Sequence, residues 1–403
     1  MNLKHAWQLD PSLTFLNHGC FGAVPRVVSE TRRQLEMELE RDPVEYLAPE
    51  RNLEPKLDEV RARVAELVCA GEQNLVFVRN ATDGVNAVLR SMPLVSGDEI
   101  VITNHGYNAC NNVARFVADR SGAVVRVAEI PFPIESPQQV IDSVDAVMSQ
   151  RTRLVLIDHV TSPTALVFPI QELIALAHDR GARIMIDGAH AAGMLPLEIE
   201  KLAPDYYTAN HHKWLCAPKV SGFLYVDPKF HDEVQPSAIS HPYNTQRPGR
   251  SIFTASFDWV GTYDPTPILA VPAALQFLSS LHDGGFEEHL KRNQERLLSV
   301  REMVCGAAEI DFPSPASMLG SMLTLPICNV EPNRAEWLGR TLREDFGIEI
   351  PVYAGLRDAH GELLGTTLMR ISFQAYNEMG DIQKLVNAMA HLGLTRHSKG
   401  REA

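Results

Sequence analysis

Between residues 75 and 190 the chain alternates between two hydrophobic rhythms. Short unbroken apolar runs, "LVFV", "EIVIT", "VVRVAEI", "RLVLID" and "ARIMID", have the length and β-branched content of strands. Between them lie stretches with helical period. In "PIQELIALAHDRG" Ile170, Leu173, Ile174 and Ala177 share one face, and Gly181 follows as a stop signal. Strand–helix alternation predicts a mainly parallel sheet covered on both faces. Upstream, "VVSETRRQLEMELERD" and "EPKLDEVRARVAELVC" read as polar-faced helices. Downstream of about Ile268, "PILAVPAALQFLSSL" and "GFEEHLKRNQERLLSVREMVC" read as helices. A smaller α+β part follows, with strands near "MLTLPI", "IEIPVY" and "LMRISF". "SHPYNTQRPGRSIFTASFDWVGTYDPTP" shows no helical period and is predicted to be a long functional loop.

The 403 residues suit one large α/β domain with a smaller companion, and no internal repeat is present. The net charge of −13 argues against a general nucleic-acid or anionic-membrane surface. Six scattered cysteines without a CxxC pair argue against a disulfide framework or a structural zinc site. No apolar run reaches the length of a membrane span or a signal peptide, so the expected location is cytoplasmic.

Ligands of parallel sheets sit outside the carboxyl ends of the strands, so the residues following each apolar run carry the candidate chemistry. Asp187 ends "IMID", with His190 three residues later. A carboxylate there is either a turn cap or the partner of a protonated ring nitrogen. Lys213 follows the strand-like "DYYTAN" and is either a surface cation or an amine that traps an aldehyde. Adjacent His211 and His212 on an extended segment point to opposite faces, which disfavours a shared metal, and no metal is expected. Asn80, Ala81 and Thr82 open a helix after "LVFV", where free N–H groups and a hydroxyl could hold a phosphate; Asp83 would have to point away. His105 or Tyr107 could lie over an aromatic ring, and Thr161 or Ser162 could bond a phenolic oxygen. Arg370, inside the apolar run "LMRISF", needs a carboxylate from the protein or from a substrate. Together these groups suit pyridoxal 5′-phosphate holding an amino acid.

At this point the chain resembles the class V aminotransferases, fold-type I pyridoxal-phosphate enzymes. The resemblance runs from "FLNHGCFGAVP" to "MRISFQAYNEMGDIQKL" and rests on "NAT", "DGAHAAG", "HHKW", "GFLYV" and "WVGTYDPTP". The opening "LNHG.FG..P" and the "W.GT.DP" segment look closest to the isopenicillin N epimerase-like branch. The resemblance implies a large domain with a mainly parallel seven-stranded sheet in an α/β/α sandwich, and a small C-terminal α+β domain. The expected division is an N-terminal arm over 1–26, a large domain over 27–267, and a linking helix with the small domain over 268–403. Lys213 would form the Schiff base and move the α-proton. Asp187 would bond the pyridine nitrogen, Tyr107 would stack on the ring, and His190 and Ser162 would lie near its hydroxyl. Ala81, Thr82 and His212 would hold the phosphate. Gly261 and Thr262 would reach the phosphate of a neighbouring subunit, making a homodimer with shared sites. Arg370 would bind the substrate carboxylate, with Asn17 and His18 close to the substrate.

The implied chemistry passes through an external aldimine and an α-carbanion on an amino acid or an amino-acid-derived substrate. Epimerisation, β-elimination of a sulfur group and transamination then all remain open. A desulfurase relying on a loop cysteine is disfavoured, because "PVYAGLRDAHGELLGTTLMR" contains none. A catalytically silent binding protein on the same fold is disfavoured by the intact Lys213, Asp187 and Arg370. A nicotinamide-binding Rossmann fold is excluded by the lack of GxGxxG after the first strand.

Overall fold

The computed structural model describes residues 3–358 and 361–394, so 1–2, 359–360 and 395–403, including the outer ends of the expected arm and small domain, lie outside the described residues. Seven strands form the central sheet in the spatial order Leu75–Val78, Gly222–Val226, Tyr206–Asn210, Arg183–Asp187, Thr152–Asp158, Glu99–Thr103, Val124–Ala128. Only Gly222–Val226 runs against the others. The unbroken apolar runs follow from burial on both faces. Ile184 and Ile186 belong to one core and Met185 to the other, and Val155 and Ile157 alternate with Leu154 and Leu156 in the same way.

The smaller core gathers around Met322–Ile327, Val352–Tyr353 and Thr367–Ser372, an antiparallel sheet packed by the helices Gly285–Ala308 and Met379–His391. The run "IEIPVY" is not one strand. Ile348–Glu349 pairs with Thr14–Phe15, whereas Val352–Tyr353 pairs with Thr367–Ser372. Pro351, which has no N–H to give a ladder, lies between the two pairings. Pro272 likewise divides "PILAVPAALQFLSSL" into helices Thr266–Leu269 and Val271–Ser280.

The predicted long loop is partly helical. Ser251 accepts the Thr254 N–H at 3.0 Å and starts the helix Ile252–Asp258. Arg250 joins Glu54, Asp58 and Asp258, and Arg61 also reaches Asp258 at 2.8 Å. This ion network ties the segment to the helix Glu54–Val68.

Candidate active site

All the strand-end candidates converge on one edge of the sheet, because every strand that precedes them runs in the same direction. At the phosphate end, Asn80 caps the helix Ala81–Ser91 by accepting the Asp83 N–H at 3.0 Å, and the Ala81 N–H is taken by Asn210 at 2.9 Å. The Thr82 N–H has no acceptor among the described residues and remains free for an anion. Asp83, which would repel an anion, is turned to Arg79 and Ser237. Gly84 lets this helix sit close to the sheet, since a Cβ there would meet the Thr208 hydroxyl at 2.3 Å. His212 donates Nδ1–H to the Ser221 carbonyl at 3.1 Å, which leaves Nε2 as its free ring atom. His211 points the other way, buried between Phe77 and Phe223.

Asp187 lies at the register position beside Asp158, and both carboxyls are buried. Burial pushes both above the usual carboxylate range, and at Asp158 the neighbouring Asp187 charge adds to this. Asp187 accepts the Ala189 N–H at 3.0 Å and the Cys110 thiol at 3.1 Å. A buried acid with raised affinity for protons is a strong partner for a protonated ring nitrogen.

The tautomer of His190 follows from its neighbours. Trp214 Nε1, which can only donate, lies 3.3 Å from His190 Nδ1, so the ring proton sits on Nε2. Nε2 is 3.1 Å from Lys213 Nζ and can donate to it once the amine is neutral. Burial, reinforced by the Arg370 charge, lowers the Lys213 amine to about 8. The lowered amine reaches its neutral, nucleophilic form at a much lower pH than an ordinary lysine.

Arg370 is completely buried and has no carboxylate partner among the described residues. Its guanidinium donates to the Ser162 carbonyl at 2.7 Å, to the Ser162 hydroxyl at 3.2 Å and to the Cys20 sulfur at 3.2 Å, and its Nε has no partner. Tyr353 lies under the guanidinium, 5.6 Å from ring centre to the charge centre. A buried cation lacking an anion is costly and awaits one from outside the chain. Ser162, expected near a ring hydroxyl, has its own hydroxyl turned to Arg370.

Of the paired alternatives, Tyr107 faces the cavity, with about 45% of its surface exposed. His105 is fully buried, bonded to Thr164 and the Ile130 carbonyl, and Thr161 is bonded to Thr164 and Leu166. Asn17 donates to Glu349 at 2.8 Å, and its side-chain oxygen is buried without a partner.

His18 requires a correction. It is fully buried and gives Nε2–H to the Lys213 carbonyl at 2.9 Å, while Nδ1 accepts from the Tyr376 hydroxyl at 3.0 Å. Neither nitrogen is left for a substrate, and burial holds the ring neutral by lowering it to about 3. Its work is to fasten the N-terminal arm to the lysine turn. Gly22 (φ +69°) makes the same approach possible, because a Cβ there would lie 1.9 Å from the His212 carbonyl oxygen. His18→Leu is expected to strand two buried polar groups and lower stability by about 2–4 kcal/mol, read from denaturant unfolding. An unchanged midpoint would rule out this fastening role.

Gly261 turns the chain at φ +106° with open space around it, and Thr262 is exposed. Among the described residues neither is hydrogen-bonded to the groups above. Sequence reasoning overlooked Asp158, Cys20, Cys110, Tyr353 and Asn210. Asp158 ends "LVLID" as Asp187 ends "IMID", so the same signal was present for it.

The sequence matches the family described as aminotransferase class-V over residues 25–385. It is 31% identical to a probable chloroplastic L-cysteine desulfhydrase of Arabidopsis thaliana over 400 residues, 94% of this chain and 83% of that protein. It is also 31% identical to the isopenicillin N epimerase of Amycolatopsis lactamdurans over 407 residues, 97% of this chain and 98% of that one. Among solved structures, a C-DES variant with glycine covalently linked to its pyridoxal-phosphate cofactor superposes with a TM-score of 0.79 at 20% identity, covering 96% of this chain and 98% of that one.

Proposed function

Because the chain belongs to the class-V aminotransferase family, and is therefore a pyridoxal-phosphate-dependent enzyme acting on amino-acid substrates, we propose that its reaction is β-elimination of a sulfur group from a cysteine-type amino acid. The observation that carries the amino-acid part is Arg370, a buried guanidinium without an acid among the described residues, in a site that also holds the lowered Lys213 amine. The desulfhydrase relatives, matched over most of their length, support the choice of elimination.

The residues fit the cofactor. The free Thr82 N–H at a helix start and the open His212 Nε2 suit a phosphate, with Ala81 opening the same turn. Asp187 suits the ring nitrogen, His190 the neighbourhood of the ring hydroxyl, and Lys213 the aldehyde carbon. When bound, pyridoxal phosphate supplies an electron-withdrawing ring that stabilises negative charge at the substrate α-carbon.

The chain's own groups then have separate tasks. Arg370 orients the substrate through its carboxylate, with Ser162 and Tyr353 fixing the guanidinium and Asn17 nearby. Lys213 takes the α-proton, and His190, locked by Trp214, packs beside the amine and fixes its position. Tyr107 faces the cavity as a phenol, with burial raising it above its ordinary value, and so carries a proton for the departing sulfur. Loss of sulfide from cysteine, followed by hydrolysis, yields pyruvate and ammonia. Gly261 and Thr262 are assigned to the phosphate of a second subunit, in keeping with the open space at Gly261 and the exposure of Thr262. Free cysteines throughout are in keeping with a reducing, cytoplasmic setting, and no helix among the described residues is long and apolar enough to cross a membrane.

Incubation of the holoenzyme with L-cysteine and cysteine conjugates, scored for pyruvate, ammonia and thiol, tests the proposal. Solvent deuterium at the α-carbon without pyruvate would instead identify epimerisation, the reaction named for the Amycolatopsis relative.

The lowered Lys213 amine also predicts a pH profile for cofactor uptake. The amine is protonated below about 8 and neutral above it, so the rate at which apoprotein acquires cofactor absorbance should rise through pH 8 and level off. A profile still climbing toward the ordinary lysine range would contradict the neutral amine. The linkage has the same sign. The unfolded chain binds the extra proton between about 8 and 10.5, so this group makes apoprotein stability rise with pH over that window.

A further inference from the structure

A cavity of about 500 Å³ opens beyond Tyr107 and Ser162, and neither Lys213 nor Asp187 lines it. Its volume falls within the roughly 300–1,000 Å³ of sites that enclose drug-sized ligands, far more than the side chain of free cysteine requires. One wall is the helix Asn108–Ser121, whose outer face repeats a polar residue at helical spacing: Asn108, Asn111 or Asn112, and Arg115. Asn111 is spent on the Thr103 and Gly106 carbonyls, at 3.2 and 3.4 Å. Asn108, Asn112 and Arg115 have no hydrogen bond or ion pair among the described residues, and Arg115 is partly buried. Arg357 stands on the opposite wall, with one guanidinium nitrogen given to the Gly361 carbonyl at 2.6 Å. Asp358 is the one acid on the described lining, so the cavity is cationic on balance.

We infer that this cavity is the specificity pocket for the substrate side chain, and that Arg115 binds an anionic group at the far end of that side chain. The inference rests on the amino-acid reading of Arg370 and names the substrate class for the same site: a cysteine-type amino acid with an extended, carboxylate-terminated sulfur substituent. Length supports this. From Tyr107 to Arg115 the helix rises about 12 Å, and although an arginine on a helix leans back toward its N-terminus, a free cysteine falls several bonds short. Charge supports it as well, because a partly buried guanidinium without a protein partner prefers a carboxylate, which it can grip with two parallel hydrogen bonds.

The test titrates the holoenzyme with S-carboxyalkyl-L-cysteines of increasing chain length and with S-alkyl-L-cysteines of matching length, reading the perturbation of cofactor absorbance. The carboxyalkyl series should bind more tightly, with an optimum at an intermediate length. Arg115→Gln should weaken it about tenfold while leaving the S-alkyl series and L-cysteine unchanged. Equal binding of the two series, or an Arg115→Gln holoenzyme indistinguishable from the parent, would overturn the inference and leave the amino-acid reading standing. Tighter binding of S-aminoalkyl-L-cysteines would overturn it too, by making Asp358 the selecting group. If no amino acid perturbs the cofactor, the Arg370 reading fails, and this inference fails with it.

Discussion

Arg370→Met should stabilise the folded apoprotein while crippling substrate binding. The two effects have one origin. The guanidinium is fully buried and faces two oxygens of Ser162 and the sulfur of Cys20, but no carboxylate. Burying an ion without its counter-ion costs several kcal/mol, and replacing it with an apolar side chain of similar length removes that cost. Against this stands the loss of a donor to the Ser162 carbonyl, about 1–3 kcal/mol if the oxygen stayed dry. Ser162 is only partly buried, so water can take the donor's place. The balance favours a gain of roughly 1–3 kcal/mol in denaturant unfolding. Substrate binding moves the opposite way. Two charge-assisted hydrogen bonds to a carboxylate account for about 3 kcal/mol or more, so KM for an amino acid should rise by ~10²-fold or greater. Cofactor uptake should persist, with its pH profile moved upward because the Arg370 charge that helps lower the Lys213 amine is gone. A variant that unfolds more easily would make Arg370 a structural residue and remove the observation on which the substrate class rests.

Lys213→Ala should abolish turnover yet leave the fold intact. Under the proposed function the side chain has two duties, covalent attachment of the cofactor and transfer of the α-proton. Removing a positioned base alone costs about 10²–10⁴-fold, and the lost attachment adds to that. The lysine turn itself is held by other groups. His18 binds the Lys213 carbonyl, and the His212 ring binds Ser221. Unfolding should therefore shift little, and any shift should be stabilising as a buried amine is removed. Borohydride reduction of the holoprotein supplies a readout independent of activity. It should fix the cofactor's mass on the peptide containing Lys213 in the parent protein and nowhere in the variant. A fixed cofactor in Lys213→Ala would mean that another amine holds it.

The two variants also separate what was legible from what was not. Lys213, Asp187 and the Asn80–Thr82 turn could be picked out because each directly follows a strand-like apolar run, and their neighbours in sequence are also their neighbours in space. Asp158 carried the same strand-end signal as Asp187, but the effect of Asp187 on it depends on two strands lying side by side in register. His18 was expected close to the substrate from the family resemblance. Its actual partners, Tyr376 and the Lys213 carbonyl, lie 358 and 195 residues away. Cys20 entered only a count of possible disulfides, yet its sulfur touches a guanidinium 350 residues along the chain.

The sequence by itself determined the sheet, the cofactor's chemistry and the residue types that serve it. These depend on local hydrophobic period, turn residues and the inherent reactivity of an amine or a carboxylate, all of which are properties of short segments. Only the tertiary structure decided that Arg370 lacks an acid among the described residues, that Lys213 is buried beside His190 with its amine lowered to about 8, and that the cavity extends as far as Arg115. Desolvation, pairing and enclosed volume are set by what surrounds a group in three dimensions, and here those surroundings come from opposite ends of the chain.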